Sequence, residues 1–96
     1  MRATYNGTVI AESEDVYLLE GYHYFPREDV RPEYLVKSDH HTACPWKGQA
    51  SYYHVRVDDV QSDNAAWYYP VPSPAAKEII DRIAFWKDVI VEEVAS

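Results

Sequence analysis

The chain has 96 residues and a formal charge of −7, from nine Lys and Arg against sixteen Asp and Glu. That length favours a single domain, residues 1–96, with one modest core, and the acidic balance repels phosphate backbones and anionic lipid, so neither nucleic acid nor a membrane is an expected partner. No apolar run approaches the ~18 residues that span a bilayer, Met1 to Gly7 runs straight into a turn rather than reading as a signal peptide, and the lone cysteine, Cys44, forms no internal disulfide, so a cytoplasmic protein is expected.

In chain order, Arg2 to Tyr5 and Thr8 to Ala11 flank Asn6-Gly7, the dipeptide of a two-residue type I′ hairpin. Glu12 to Asp15 is a polar break. Val16 to Glu20 forms a third strand ended by Gly21, and the aromatic run Tyr22-His23-Tyr24-Phe25-Pro26 follows, giving a β-meander. Between Pro26 and Pro32 there is room for one helical turn at most, and Tyr34-Leu35-Val36 forms a further short strand. Ser38 to Thr42 leads into a Pro/Gly-punctuated turn, Cys44-Pro45-Trp46-Lys47-Gly48.

Gln49 to Val57 alternates, with Tyr53, Val55 and Val57 on one face against Tyr52, His54 and Arg56 on the other, as in a half-buried strand. Asp58-Asp59 turns the chain, and after a polar stretch Ala65 to Tyr69 supplies an antiparallel partner. Prolines 70, 72 and 74 then break regular structure. With Ser73 as N-cap and Pro74 at the first helical position, the recurrence of Ala75, Ala76, Ile79, Ile80 and Ile83 predicts one helix of about ten residues. Ala84 to Trp86 and Val89 to Val91 close the chain as a strand or a hairpin around Lys87-Asp88. The expected class is therefore mainly β with one C-terminal helix.

Nine tyrosines and three tryptophans stand against two phenylalanines. Rings with a polar handle suit half-wet surfaces, cavity walls and interfaces, although Tyr and Trp also favour strands. Loops on rigid scaffolds carry function disproportionately, and the Cys44 to Gly48 turn gathers a thiol, an indole and an ammonium. Lys47 could lower the Cys44 thiol pKa and make a nucleophile; the alternative is a small buried cysteine. Folded against Trp46, Lys47 suits an anionic or carbonyl-bearing ligand; otherwise it is a solvated loop residue. Trp46, Trp67 and Trp86, with Tyr24, Tyr53 and Tyr69, are candidates for an aromatic wall, Trp67 and Tyr69 sharing a face by alternation; the alternative is core packing, which is favoured for Trp86, beside the helix's apolar face. His23 is a candidate general base or ligand donor, or a strand histidine satisfied by a hydrogen bond. His40 and His41 point to opposite faces of a strand, and His23, His54 and Cys44 match no zinc spacing, so no metal site is expected.

Asn6-Gly7, Glu20-Gly21, His23-Tyr24-Phe25-Pro26, the string Thr42-x-Cys44-Pro45-Trp46-Lys47-Gly48-x-Ala50-Ser51-Tyr52-Tyr53, Ala65-Ala66-Trp67-Tyr68-Tyr69-Pro70 and Ile83-Ala84-Phe85 resemble the bacterial family catalogued as domain of unknown function 427. The resemblance covers nearly the whole chain. It implies a β-tent-like architecture, two small antiparallel sheets packed at an angle with a ligand cleft between them, as in cereblon-type ligand-binding domains and methionine sulfoxide reductase B. The four-cysteine zinc site of such relatives has no counterpart here. The nucleotidyltransferase label sometimes attached to the family finds no residue support, for no Gly-Ser pair precedes spaced aspartates and no Gly-rich phosphate loop is present.

The leading expectation is a small-molecule-binding domain, its cleft built by Tyr24, Trp46, Tyr53, Trp67 and Tyr69 with Lys47 as polar anchor, and no cofactor. The alternatives are an enzyme using Cys44 or Lys47, with His23 assisting, and a protein-interaction module using exposed tyrosines. The sequence assigns no oligomeric state.

Overall fold

The computed structural model describes residues 1–94. Among them run nine strands: β1 (Arg2–Tyr5), β2 (Thr8–Glu12), β3 (Tyr17–Leu19), β4 (Tyr22–Pro26), β5 (Leu35–Cys44), β6 (Gly48–Val57), β7 (Val60–Tyr68), β8 (Arg82–Phe85) and β9 (Ile90–Glu92). They form two antiparallel sheets, a three-stranded one in the order β2-β1-β9 and a six-stranded one in the order β3-β4-β8-β7-β6-β5. No helix among the described residues is long and apolar enough to cross a membrane.

Local turn chemistry accounts for the hairpins. Asn6 and Gly7 both have positive φ, 49° and 75°, between the paired Tyr5 and Thr8, and Glu20-Gly21 repeats that geometry between Leu19 and Tyr22, at 53° and 84°. Both are two-residue loops with left-handed backbone at each position, the requirement of a type I′ turn. Two other segments are longer than expected. The short strand at Tyr34 to Val36 continues as the ten-residue β5, and β7 begins at Val60 rather than Ala65. The polar stretch Gln61 to Asn64 is thus strand, interrupted where the β6–β7 register shifts between Tyr53 and Val55. Asn64, at φ 54°, occupies that irregularity.

The expected C-terminal helix is not formed. Pro74–Ile79 makes only 3-10 turns, broken at Ala76 (φ −122°, ψ 28°), and Ile80 is already extended. The reason lies in what the isoleucines serve. Ile79 is buried in a cluster with Tyr24, Trp67 and Tyr69, Ile83 is buried in a different cluster with Phe25 and Phe85, and Ile80 between them is half exposed. A helix would have placed all three on one face. Arg82–Phe85 instead fills the gap between β4 and β7, pairing with both; a helix through Ile83 would leave two strands with unpaired backbone groups, and β-branched isoleucine accepts the extended form readily. The closing hairpin is also absent, since β8 lies in the larger sheet while β9 pairs with β1 in the smaller one.

The six-stranded sheet is covered on both faces. Its inner face presents Phe25, Val55, Val57, Ala66, Ile83 and Phe85, which pack with Ala3, Tyr5 and Ile10 of the smaller sheet to form the main core. Complete burial of side chains such as Phe25 and Ile83 stabilises the fold by roughly 1.5–3 kcal/mol each. The outer face presents Tyr24, Ala84 and Trp67, partly covered by Tyr69, Ala76 and Ile79 from the proline-bounded segment.

Candidate functional site

Register lines up one row of side chains across the outer face. Tyr52 pairs with Trp67, Trp67 with Ala84, and Ala84 with Tyr24. The small Ala84 leaves Trp67 room to reach over it, and the Trp67 indole N–H donates to the Tyr24 hydroxyl at 3.2 Å. Trp67, 7% exposed, becomes the floor of a depression. Tyr22 stands against it edge-on (centroids 4.8 Å apart, 83° between planes), Trp86 is also near-perpendicular to it (5.6 Å, 86°), and Tyr52 leans over it at 43°. With Tyr69 and Lys47 they line a cleft of about 190 Å³. That is below the ~300–1,000 Å³ of drug-sized sites and suits a single ring.

Hydrogen bonds fix two of the walls, Trp86 and Tyr52. Trp86 donates its indole N–H to the Asn64 carbonyl at 2.6 Å, and the Asn64 amide in turn donates to His54 Nδ1 at 3.0 Å. The strand irregularity at Asn64 therefore aims a carbonyl at Trp86. Tyr52 is hydrogen-bonded through its hydroxyl to Thr42 Oγ1 at 3.0 Å. Lys47 sits in the three-residue connection between β5 and β6, closed by the Cys44–Gly48 pair. The Ser73 amide donates to the Lys47 carbonyl at 2.9 Å, and the Ser73 hydroxyl donates to the Trp46 carbonyl. Ser73, expected as an N-cap, is instead a clamp holding the proline-bounded segment to this turn. The approach is close enough that a Cβ on Gly48 would lie 3.1 Å from the Val71 carbonyl oxygen, and Gly48 has φ +108°. Glycine is required there twice over.

Among the described residues, Lys47 is the one cationic side chain lining the cleft. Its side chain is only 12% exposed, and its ammonium donates to Glu20 Oε1 at 2.5 Å. It also lies 5.4 Å from the Trp46 ring centre and 5.7 Å from that of Tyr69, within cation–π range. Burial by itself pulls the lysine pKa down, but the hydrogen bond donated to Glu20, together with nearby Tyr24 and Tyr69, outweighs it, and the net shift is upward. Lys47 is therefore a positive charge at neutral pH. Burial also pushes the Tyr24 phenol up, against the Trp67 hydrogen bond and Lys47, which pull it down. Tyr69 is likewise raised, by burial first, with Lys47 opposing. Both phenols stay neutral.

The sequence-predicted residues divide in space. Lys47, Trp67 and Tyr69 line the cleft together, and Tyr24 lies beneath it, bonded to Trp67. Trp46 carries the Lys47 ammonium on its ring but is not part of the lining. Tyr53 is on the inner face, stacked on Tyr68 at 4.9 Å, with the Arg27 guanidinium donating to its hydroxyl at 3.1 Å. Cys44 ends β5 half-buried against the outer apolar cluster. His23 alternates with Tyr22 and Tyr24 along β4, which turns it to the face opposite Lys47's cleft. The sheet therefore separates His23 from Cys44 and Lys47. No group of three His, Cys, Asp or Glu side chains among the described residues could hold a metal ion.

Three contributors were not singled out from sequence, Tyr22, Tyr52 and Glu20, and a fourth, Trp86, was weighed as a wall residue but favoured as core. Trp86 reads as core only if a helix lies beside it. Without the helix, alternation from Phe85 turns Trp86 outward, and it is 38% exposed. Tyr52 was legible in the alternation of β6, opposite the apolar Tyr53, Val55 and Val57. Glu20 carried a weaker signal, a Glu at the first position of a two-residue loop where Asn or Asp is usual.

No curated protein matches the chain. The string that surrounds the cleft turn nevertheless belongs to a recognised pattern running through the whole sequence: residues 1–96 match the family described as a domain of unknown function (DUF427), and the chain is a member of it.

Proposed function

We propose that this protein binds a small planar molecule on the outer face of its larger sheet, with Trp67 as the stacking floor, Tyr22, Tyr52 and Trp86 as walls, and Lys47 as the polar anchor. The observation that carries this reading is the arrangement around Trp67. Two rings stand nearly perpendicular to it, so a flat ligand in the cleft meets aromatic walls as well as the indole. Aromatic rings commonly stabilise a core, yet Tyr22 and Trp86 are over a third exposed, and half-exposed large rings gathered around a concavity mark a binding surface more than a packing solution. Lys47 adds N–H donors at one end of an otherwise apolar cleft, which orients the ligand. The lone cysteine supports a reducing, cytoplasmic setting.

The test is a screen of single-ring fragments by ligand-observed NMR against the wild-type protein, Trp86→Ala and Tyr22→Ala. Because both walls are partly solvent-exposed, the variants should stay folded. Fragments that bind wild type and weaken about tenfold or more in each variant support the reading. Fragments whose binding ignores both substitutions count against it, as does a library in which none binds at millimolar concentration.

A further inference from the structure

Glu20 occupies a position that the binding reading alone does not explain. It reaches Lys47 from the β3–β4 turn, 27 residues away in sequence, and its carboxylate accepts from the ammonium of a side chain that lines the cleft. We propose that Glu20 is a built-in competitor for the ligand's own carboxylate: the cleft takes a small planar carboxylic acid, whose carboxylate displaces Glu20 from Lys47. This inference rests on the cleft being a binding site and names the class of molecule it takes.

Three observations carry it. The ammonium has three N–H donors, and among the described residues its hydrogen-bond partner is Glu20 alone, its remaining directions facing the rings of Trp46 and Tyr69. A ring supports the charge but does not accept a strong hydrogen bond, so donors remain for an incoming oxygen. Second, the pair is lopsided, Lys47 12% exposed and Glu20 49%. Ion pairs with a wet partner contribute little to stability, and Glu20 released from Lys47 returns to water. Lys47 released from Glu20 needs another anion, because a largely buried ammonium without a counter-charge is costly. Third, exchange of one carboxylate for another leaves the charge of the site unchanged. A neutral ring would leave Glu20 in place, and a cationic one would meet Lys47.

The turn itself fits this role. Glu20 holds φ 53°, a conformation that asparagine or glycine adopts more readily, so the carboxylate is presented from a position with no conformational advantage for glutamate. The turn sits at the β3 edge of the sheet, where Glu20 swings out without disturbing the main core. An empty cleft is thus closed by Glu20 on Lys47, and an occupied one has the ligand carboxylate in its place.

Benzoate, benzamide and protonated benzylamine share one ring and differ in charge, and their affinities for wild type, Glu20→Gln and Lys47→Met test the proposal. Gln keeps the size of Glu20 and Met the apolar stem of Lys47. The expected result is that Glu20→Gln tightens benzoate about tenfold and leaves benzamide unchanged, while Lys47→Met removes the preference for benzoate over benzamide. Benzoate affinity unchanged or weakened in Glu20→Gln, with benzoate and benzamide still binding, overturns the competitor role and leaves the aromatic cleft standing. Tightest binding by benzylamine also overturns it. If none of the three probes binds wild type, the cleft reading falls and the proposal with it.

Discussion

The two faces of the six-stranded sheet are built from adjacent residues of the same strands, yet they differ in kind. The inner face sets Phe25 against Phe85 with Ile83 and Val55, all but removed from water, over the smaller sheet. The outer face sets Tyr24, Trp67 and Tyr52 beneath a partial cover and leaves Tyr22 and Trp86 standing in solvent. Packing is complete on one side and deliberately open on the other. The lesson is that ring content alone does not separate core from site; polar handles and incomplete cover do, since Tyr and Trp tolerate a half-wet surface that Phe does not favour.

The sharpest way to break that contrast uses neighbours. Phe85→Ala should lose about 3–5 kcal/mol of stability, the usual result of emptying a buried aromatic site, which approaches the whole stability of a small domain. Trp86→Ala, one residue on and facing the other way, should lose no more than about 1 kcal/mol while weakening fragment binding about tenfold or more. Urea unfolding monitored by circular dichroism reads both, and equal losses would erase the distinction between the faces.

Gly48→Ala comes next. It places a Cβ 3.1 Å from the Val71 carbonyl and forces a side chain into positive φ, so it should destabilise by about 1–3 kcal/mol. Its effect should reach the cleft, because the Trp46-Lys47 turn and the Ser73 clamp must part. A Gly48→Ala protein with wild-type stability would show that the turn is not strapped as tightly as its contacts indicate. Ser73→Ala should cost less, about 0.5–1.5 kcal/mol for one hydrogen bond, by the same unfolding measurement.

Alkaline pH sharpens the contrast from another side. Tyr24, Tyr69 and Lys47 all have folded-state pKa values above their ordinary values of 10.0 and 10.5. Above those ordinary values the unfolded chain loses protons that the folded state retains, so each group's contribution is fully present below about pH 10 and is lost as pH rises through the folded pKa. Stability should therefore stay flat on this account up to about pH 10 and then fall, with Trp67 fluorescence changing in the same window because tyrosinate forms beside it. A loss of Trp67 packing between pH 7 and 9 would contradict these shifts.

Much of the fold was legible where local chemistry decides it. Asn6-Gly7 dictates a hairpin whatever surrounds it, and the period of two in Gln49 to Val57 fixes which residues face inward. The same alternation sets Tyr53 with Val55 and Val57, so it pointed to Tyr52 rather than Tyr53 for the open face. The segment from Ser73 to Ile83 failed because a helical spacing of isoleucines is also satisfied by two separate cores, and only the gap between β4 and β7 decides between them. Trp86 followed that error. The Glu20–Lys47 pair was illegible for a different reason: it joins two turns whose proximity depends on strand order, which no local pattern encodes.

The smallest expected effect is also diagnostic. Tyr53→Phe removes the hydroxyl that Arg27 donates to and should change stability by less than about 1 kcal/mol and fragment affinity not at all, because Tyr53 faces away from the cleft.

The most direct measurement is a benzoate titration followed by two-dimensional amide and indole NMR of the wild-type protein. Shifts concentrated at the Trp67 and Trp86 indoles, Tyr22, Tyr52, Tyr69 and the Glu20 and Lys47 turns are the expected result. Shifts centred instead on Arg27, Tyr53 and Tyr68, or none up to millimolar benzoate, would contradict a binding site on the outer face.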